Sequence, residues 1–144
     1  MASWAEFESA QPEFAKRVRK LMGTRKHLTM ATLRRDGSPR ISGTEVQFAG
    51  EELQIGSMPR ALKAKDLLHD PRVAIHGPTH DPAKSGGWRG EAKLAGKAVE
   101  IPADGDGNSF RIDIREVVIT RLGGHGLAIE SWTPERGYRV VDRD

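Results

Sequence analysis

Apolar positions recur at two different spacings along this chain, and the change of spacing separates its parts. Phe14, Val18, Leu21 and Met22 fall at i, i+4, i+7 and i+8, which draws one stripe of a helix. Lys16, Arg17, Arg19 and Lys20 fill the opposite face. The pattern predicts helix from Ser3 to Met22, with Pro12 setting off a short first turn and Gly23 as the stop. Strands follow. Leu28 to Leu33 mixes threonine and aliphatic residues in a compact run. Arg35-Asp36-Gly37-Ser38 reads as a hairpin turn, because Asp-Gly accepts positive φ at low cost. Ile41 to Phe48 is the return strand, with Thr44, Val46 and Phe48 alternating against Glu45 and Gln47. Ala49-Gly50-Glu51 marks a second turn and Leu53 to Ser57 a third strand, so this region is an antiparallel meander.

Pro59 is expected to open a helix that runs to about His69, since its missing N–H costs nothing in a first turn. Ala61, Ala64, Leu67 and Leu68 would be its buried stripe, and Asp70-Pro71 ends it. Further strands are expected at Val73 to His76, Glu91 to Ile101, Phe110 to Leu122, Leu127 to Trp132 and Tyr138 to Val141. The stretches from Pro78 to Gly90 and from Pro102 to Ser109 read as loops. No internal repeat or low-complexity linker interrupts the pattern. Many short strands with few helices argue for a barrel, which closes to remove its edges.

Composition narrows the picture. The chain has 144 residues, which suits one domain over 1–144, with an N-terminal helix in 1–23 and a barrel in 26–144. Its 37% hydrophobic and 30% charged shares fit a folded soluble protein, and the low apolar share suits a core completed in part by a second subunit. A net charge of +3 favours an anionic ligand. Basic residues are spread out, and no interleaved aromatics mark a nucleic-acid surface. Cysteine is absent, which removes disulfides and thiol chemistry and makes a reducing cytoplasm the expected location. The first residues carry acidic side chains and no apolar core of a secretory signal. No run approaches the roughly 20 apolar residues of a membrane span.

The candidate chemistry lies at Gly56 to Lys63, where a strand leads into a helix. First-turn amides have no partners inside a helix, and its N-terminus carries partial positive charge. Ser57 can cap that helix or donate a hydroxyl to a phosphate, and Gly56 would let a ligand approach the strand end. Arg60 and Lys63, three apart, would share a helical face. These residues suit a phosphate site; on local pattern alone they suit an ordinary solvated basic face better.

Several stretches resemble one known family: A-T-L-R-R-D-G-S-P-R-I-S-G-T-E, then M-P-x-x-x-K with D-L-L-H-D-P-R-V-A-I-H, then F-R-I-D-I-R-E-V-V-I-T-R and L-A-I-E-S-W-T-P-E-R-G. Their order and spacing resemble the pyridoxamine 5'-phosphate oxidase-like split-barrel flavoproteins, and the last two resemble an actinobacterial-type branch. The resemblance implies a mainly β split barrel of about six or seven antiparallel strands with flanking helices. It also implies a homodimer that holds flavin mononucleotide (FMN), or in some members a deazaflavin coenzyme, at the subunit interface. By the same resemblance, Lys63 would meet the cofactor phosphate. Arg40, Ser42 and Thr44 would line the cofactor, and Gly56, Ser57 and Met58 would underlie the ring and ribityl chain. Many members carry Ser-Arg-Lys where this chain has Ala61-Leu62-Lys63, so one hydroxyl and one guanidinium are missing, and Arg60 is the cation that stands nearest.

Trp132 and Trp88 are further candidates: each ring would either stack near a flavin or pack in the core or at a subunit contact. The five histidines have no metal-ligand spacing, and Asp104, Asp106 and Asn108 lack the glycine and glutamate of a calcium loop. No G-x-S-x-G elbow or GxGxxG turn is present. The function expected is a flavin-dependent oxidoreductase acting on a small molecule, with redox carried by the cofactor and no catalytic side chain assigned. The alternatives are a flavin or deazaflavin carrier without turnover, and a cofactor-free dimeric barrel.

Overall fold

The computed structural model describes residues 1–144. It contains helices α1 (Trp4–Ala10), α2 (Pro12–Met22) and α3 (Leu62–His69). Its strands are β1 (Leu28–Leu33), β2 (Pro39–Thr44), β3 (Val46–Ala49), β4 (Glu52–Ser57), β5 (Arg72–His76), β6 (Glu91–Ile101), β7 (Asn108–Leu122), β8 (Leu127–Thr133) and β9 (Gly137–Arg143). Ser3 caps α1 by accepting from the Glu6 N–H at 3.1 Å, and the Glu6 carboxylate accepts from the Ser3 N–H in return. Pro12 occupies the first turn of α2, where no N–H is needed. The buried stripe of α2 is Phe14, Ala15, Val18 and Met22.

All nine strands form one antiparallel sheet, ordered β2-β1-β5-β6-β7-β4-β3, with β8 on β7 and β9 on β8. Two strands change partners, and these changes shape the barrel. The run expected as one strand from Ile41 to Phe48 divides at Glu45: β2 pairs with β1, and β3 pairs with β4. The covalent link between β2 and β3 therefore joins the two ends of the strand order. Strand β7 keeps β6 along one edge, and on the other edge passes from β4 near Arg111 to β8 beyond Val117. The main path has seven strands, within the six or seven expected of the barrel, and the β8–β9 hairpin adds two more off that path.

The helix expected to open at Pro59 begins at Leu62 instead. Met58 to Ala61 form a tight turn, closed by the Ala61 N–H donating to the Met58 carbonyl at 3.2 Å. Pro59 and Arg60 are its two central residues, and Arg60 has φ of +62°. This is the pattern of a type II turn, in which proline presets the first position and a left-handed residue fills the second. Pro59 thus starts a turn rather than a helix. The inward stripe of α3 is Ala64, Asp66 and Leu67, while Leu68 is exposed.

The core fills the barrel and the space beneath α1 and α2. Trp4, Phe7, Phe14 and Trp132 gather there, with the rings of Phe7 and Trp132 4.9 Å apart and those of Phe7 and Phe14 5.8 Å apart. No helix is long and apolar enough to cross a membrane.

Candidate functional site

Strand β4, the Met58–Ala61 turn and α3 build one wall of a cleft; β2 and β3 build the other. The cleft has a volume of about 510 Å³. Thr44, Gly56, Ser57, Met58 and Lys63 all line it, so five of the residues singled out in the sequence come together. Gly56 and Gly43 face it without side chains. A Cβ on either would meet only ordinary van der Waals neighbours, and neither has positive φ, so packing does not demand glycine there.

Ser57 carries the most informative atom. Its Oγ is buried and has no hydrogen-bond partner. Buried polar groups are normally satisfied, because an unpaired one costs about 1–3 kcal/mol. The other such atom in the chain is Trp4 Nε1, inside the core. Close to Ser57 in the chain, α3 begins at Leu62 with Ala61 as its N-cap, and alanine offers no side-chain acceptor to the first-turn amides. The Lys63 ammonium donates to the Gly43 carbonyl at 2.8 Å, across the mouth between α3 and β2. Burial pushes the Lys63 amine below the usual lysine range, and the Glu45 carboxylate on the cleft wall opposes that shift. A hydroxyl, a lysine and the positive end of a helix therefore line the same cleft, with the Glu45 carboxylate as the acidic group on its wall.

The remaining nominated residues are placed otherwise. Arg40 and Ser42 share the inward face of β2 with Thr44 but do not line the cleft. Arg40 is committed to Asp66: its Nε donates to Asp66 Oδ2 at 2.7 Å, and the Thr32 hydroxyl donates to the same oxygen at 2.6 Å. Burial would raise the Asp66 carboxyl, yet the hydrogen bonds from Arg40 and Thr32 outweigh it and hold the group below the ordinary range. Arg40 thus pins β2 to α3. Arg60 is exposed on the turn and outside the cleft wall; it cannot share a helical face with Lys63, since it precedes the helix. Trp132 is a core residue, 5% exposed and packed on Phe7. The Trp88 indole donates to the His80 carbonyl at 2.8 Å, and the His80 ring bonds Thr24 Oγ1 at 2.9 Å, which ties the Pro78–Gly90 loop to the end of α2.

Several wall residues escaped the sequence reading: His27, Gly43, Glu45, Gln47, Gln54 and Ser109. Gln47 and Gln54 were visible as directly paired polar positions only once the β3–β4 register was known. Asp66 did carry a signal, a carboxylate between Ala64 and Leu67 in an otherwise apolar stripe.

No family model matches the sequence, and no curated protein matches it. Solved structures do match the fold. A pyridoxamine 5'-phosphate oxidase-related, FMN-binding protein from Nostoc punctiforme superposes with a TM-score of 0.66 at 11% identity, over 93% of this chain and 96% of that one. A protein related to general stress protein 26, of the pyridoxinephosphate oxidase family, from Clostridium acetobutylicum gives 0.64 at 10% identity, over 85% and 96%. A heme-binding protein from Mycobacterium smegmatis gives 0.59 at 18% identity, over 83% of this chain and 57% of that one. The chain therefore has the split-barrel fold of pyridoxamine 5'-phosphate oxidase-like FMN-binding proteins.

Proposed function

We propose that the cleft holds the phosphate-bearing tail of a flavin, FMN in the first instance, and that the protein is a flavin-dependent oxidoreductase acting on a small molecule. The observation that carries this reading is the unpartnered Ser57 hydroxyl in the cleft that Lys63 also lines, at the uncapped start of α3. Ser57 would donate to a phosphate oxygen, Lys63 would exchange its Gly43 carbonyl for the anion, and the α3 amides would add the helix dipole. The bare backbones of Gly43 and Gly56 leave room for the ribityl chain and the ring edge. Thr44 and Met58 would pack against it from either wall. Arg60 would approach the phosphate by a change of side-chain rotamer, and Arg40 would act indirectly by fixing β2 against α3. A bound flavin supplies the redox chemistry at its ring, which accounts for a site without an acid–base pair of its own.

The same reading makes the protein a homodimer. Ile41 is 76% exposed on the outward side of β2. It borders an apolar cavity of about 390 Å³ with Ala31, Ala74 and Val118. A second copy would cover this face.

The test is calorimetric titration of the full chain with FMN, with a deazaflavin coenzyme and with heme run beside it. Lys63→Ala is expected to weaken FMN binding by about 1.5–3 kcal/mol, the scale of a charged hydrogen bond. Wild-type affinity is expected to hold through neutral pH and fall on the alkaline side as Lys63 loses its proton, at lower pH than an ordinary lysine would. That fall should vanish in the variant. FMN binding that is indifferent to both Lys63→Ala and Ser57→Ala would place the phosphate elsewhere.

A further inference from the structure

Between β5 and β6 the chain leaves the barrel as a strap over residues 78–90. Both of its ends are seated. The Gly77 N–H donates to the Ala92 carbonyl at 2.8 Å, and Gly77, Pro78 and Gly90 are buried. A Cβ on Gly77 would press on Met22 Sδ at 2.9 Å, and one on Gly90 would press on the Thr120 carbonyl at 2.8 Å. The backbone therefore lies close against α2 at one end and against β7 at the other. The middle is not seated. Every residue from Asp81 to Gly87 is exposed. The strap makes no ion pair. Only two hydrogen bonds join it to the rest of the protein, and the half-buried His80 ring makes both.

The neighbours of that ring fix where its proton sits. Thr24 Oγ1 donates to the Leu21 carbonyl at 2.9 Å, so toward His80 it accepts, from the Nε2–H at 2.9 Å. The neutral ring then carries its lone pair on Nδ1, which accepts from Arg25 Nη2 at 3.3 Å. A second proton would go to Nδ1. It would turn that acceptor into a donor and set a positive ring against a guanidinium. Three charged groups face the ring: Arg25 from the α2–β1 turn, and Arg89 and Asp81 from the strap itself. Partial burial, then Arg89 and Arg25, hold His80 below the ordinary histidine value of 6.5, and Asp81 opposes them. A depressed histidine makes its full contribution above the ordinary value and loses it as pH falls from there.

We propose that residues 78–90 form an acid-released strap: the neutral His80 ring latches it to the α2–β1 turn, and protonation of Nδ1 lets its middle swing out on its seated ends. Thr24 and Arg25, which hold the ring, lie outside the sheet face that a second copy would cover. Their turn runs on to His27, a wall residue of the Ser57 cleft, so the strap is tied to the segment that forms that edge of the cleft. The latch uses no residue that would hold a flavin and stands whether or not one binds.

The experiment is nuclear magnetic resonance of the full chain without added ligand, from pH 7.5 to pH 5.5. It follows the His80 ring carbons and the amide relaxation of residues 81–89. The ring is expected to titrate below 6.5, and the strap amides, rigid at pH 7.5, are expected to gain fast motion as it does so. An unlatched histidine is about tenfold protonated at pH 5.5, so the ratio of open to closed strap should rise by up to about tenfold. His80→Phe can make neither bond. It is expected to show the acid pattern already at pH 7.5, with no further change on acidification. Arg25→Gln keeps a donor and removes the charge, so the His80 midpoint should move up toward 6.5. Unchanged amide shifts in β6 and β7 will show that both variants fold. The proposal is overturned by a strap as rigid at pH 5.5 as at pH 7.5, or by a His80 midpoint at or above 6.5. It is also overturned by a strap that stays ordered in His80→Phe, or by an acid transition that persists in that variant, which would assign it to another histidine such as His76.

Discussion

Arg60 holds a left-handed backbone at φ +62°, a region that costs a side chain with a Cβ about 1–2 kcal/mol. Glycine would fill the position without strain, as it does in most turns of this type. No hydrogen bond or ion pair of the Arg60 side chain in the free protein repays the cost. Strain kept beside a cleft is accounted for if the guanidinium serves a bound anion. Arg60→Gly is therefore expected to raise stability by about 1 kcal/mol in denaturant unfolding. The same substitution should lower FMN affinity several-fold at low salt. A variant that is more stable and binds FMN as tightly as wild type would remove Arg60 from the phosphate set. Residue types at the cleft were legible in the sequence, and roles were less so. Lys63 and Ser57 stand beside the start of α3, as the strand-to-helix boundary suggested. Arg40 was legible as a basic residue of the second strand, but its bond to Asp66 depends on a helix and a strand that meet only in the folded chain.

Among the elements, the long strands were the easiest to read. β1 and β6 have the limits that the pattern predicts, because turn residues bound them on both sides. The β2–β3 division was hidden, because alternation runs unbroken through Glu45 while the pairing partner changes. A bulge in β7, which leaves Arg115 as the extra residue against β6, did leave a trace: inward residues run Phe110, Ile112, Ile114 and then Val117, Ile119, a slip of one place. The polar knot that ties α2 to the C-terminal hairpin left none. The Glu130 side chain of β8 is 1% exposed and accepts from Arg17 of α2 at 2.8 Å, Arg121 of β7 at 2.8 Å and the Tyr138 hydroxyl of β9. Burial would raise the Glu130 carboxyl, but hydrogen bonds from Arg17, Tyr138 and Arg121 outweigh it and hold the group at about 2. A depressed carboxyl adds stability that is complete above the unfolded value near 4.5 and is lost as pH falls from there toward 2. The two arginines are partly solvated, so the contribution is about 2–3 kcal/mol rather than the full value of the shift. Urea unfolding at pH 7 should show Glu130→Gln less stable by about that amount. Between pH 5 and pH 3 the wild type should lose stability more steeply than the variant. Parallel acid slopes would mean that the carboxylate is not the element tie described here.

At the scale of the whole molecule, the barrel buries most of its inner face and leaves its outer face unevenly covered. α1, α2 and α3 cover one side, where the aromatic core lies. The face formed by the outward residues of β2, β1, β5, β6 and β7 has no such cover, and Ile41 stands out of it at 76% exposure. Burying a side chain of this size contributes about 1.5–3 kcal/mol, and a two-fold contact would count it twice. A lysine at that position would place one charge from each copy on a shared apolar surface, a cost no neighbouring carboxylate in a two-fold arrangement would remove more than partly. Wild-type protein is therefore expected to sediment as a dimer, and Ile41→Lys as a monomer at the same concentration, with unchanged far-ultraviolet circular dichroism because the side chain supports nothing in its own barrel. If the flavin lies between the two copies, FMN affinity should fall together with the dimer. A monomeric wild type would refute the homodimer outright. A dimer that survives Ile41→Lys would move the contact to another face and leave the Ser57 cleft to be judged by its own titration.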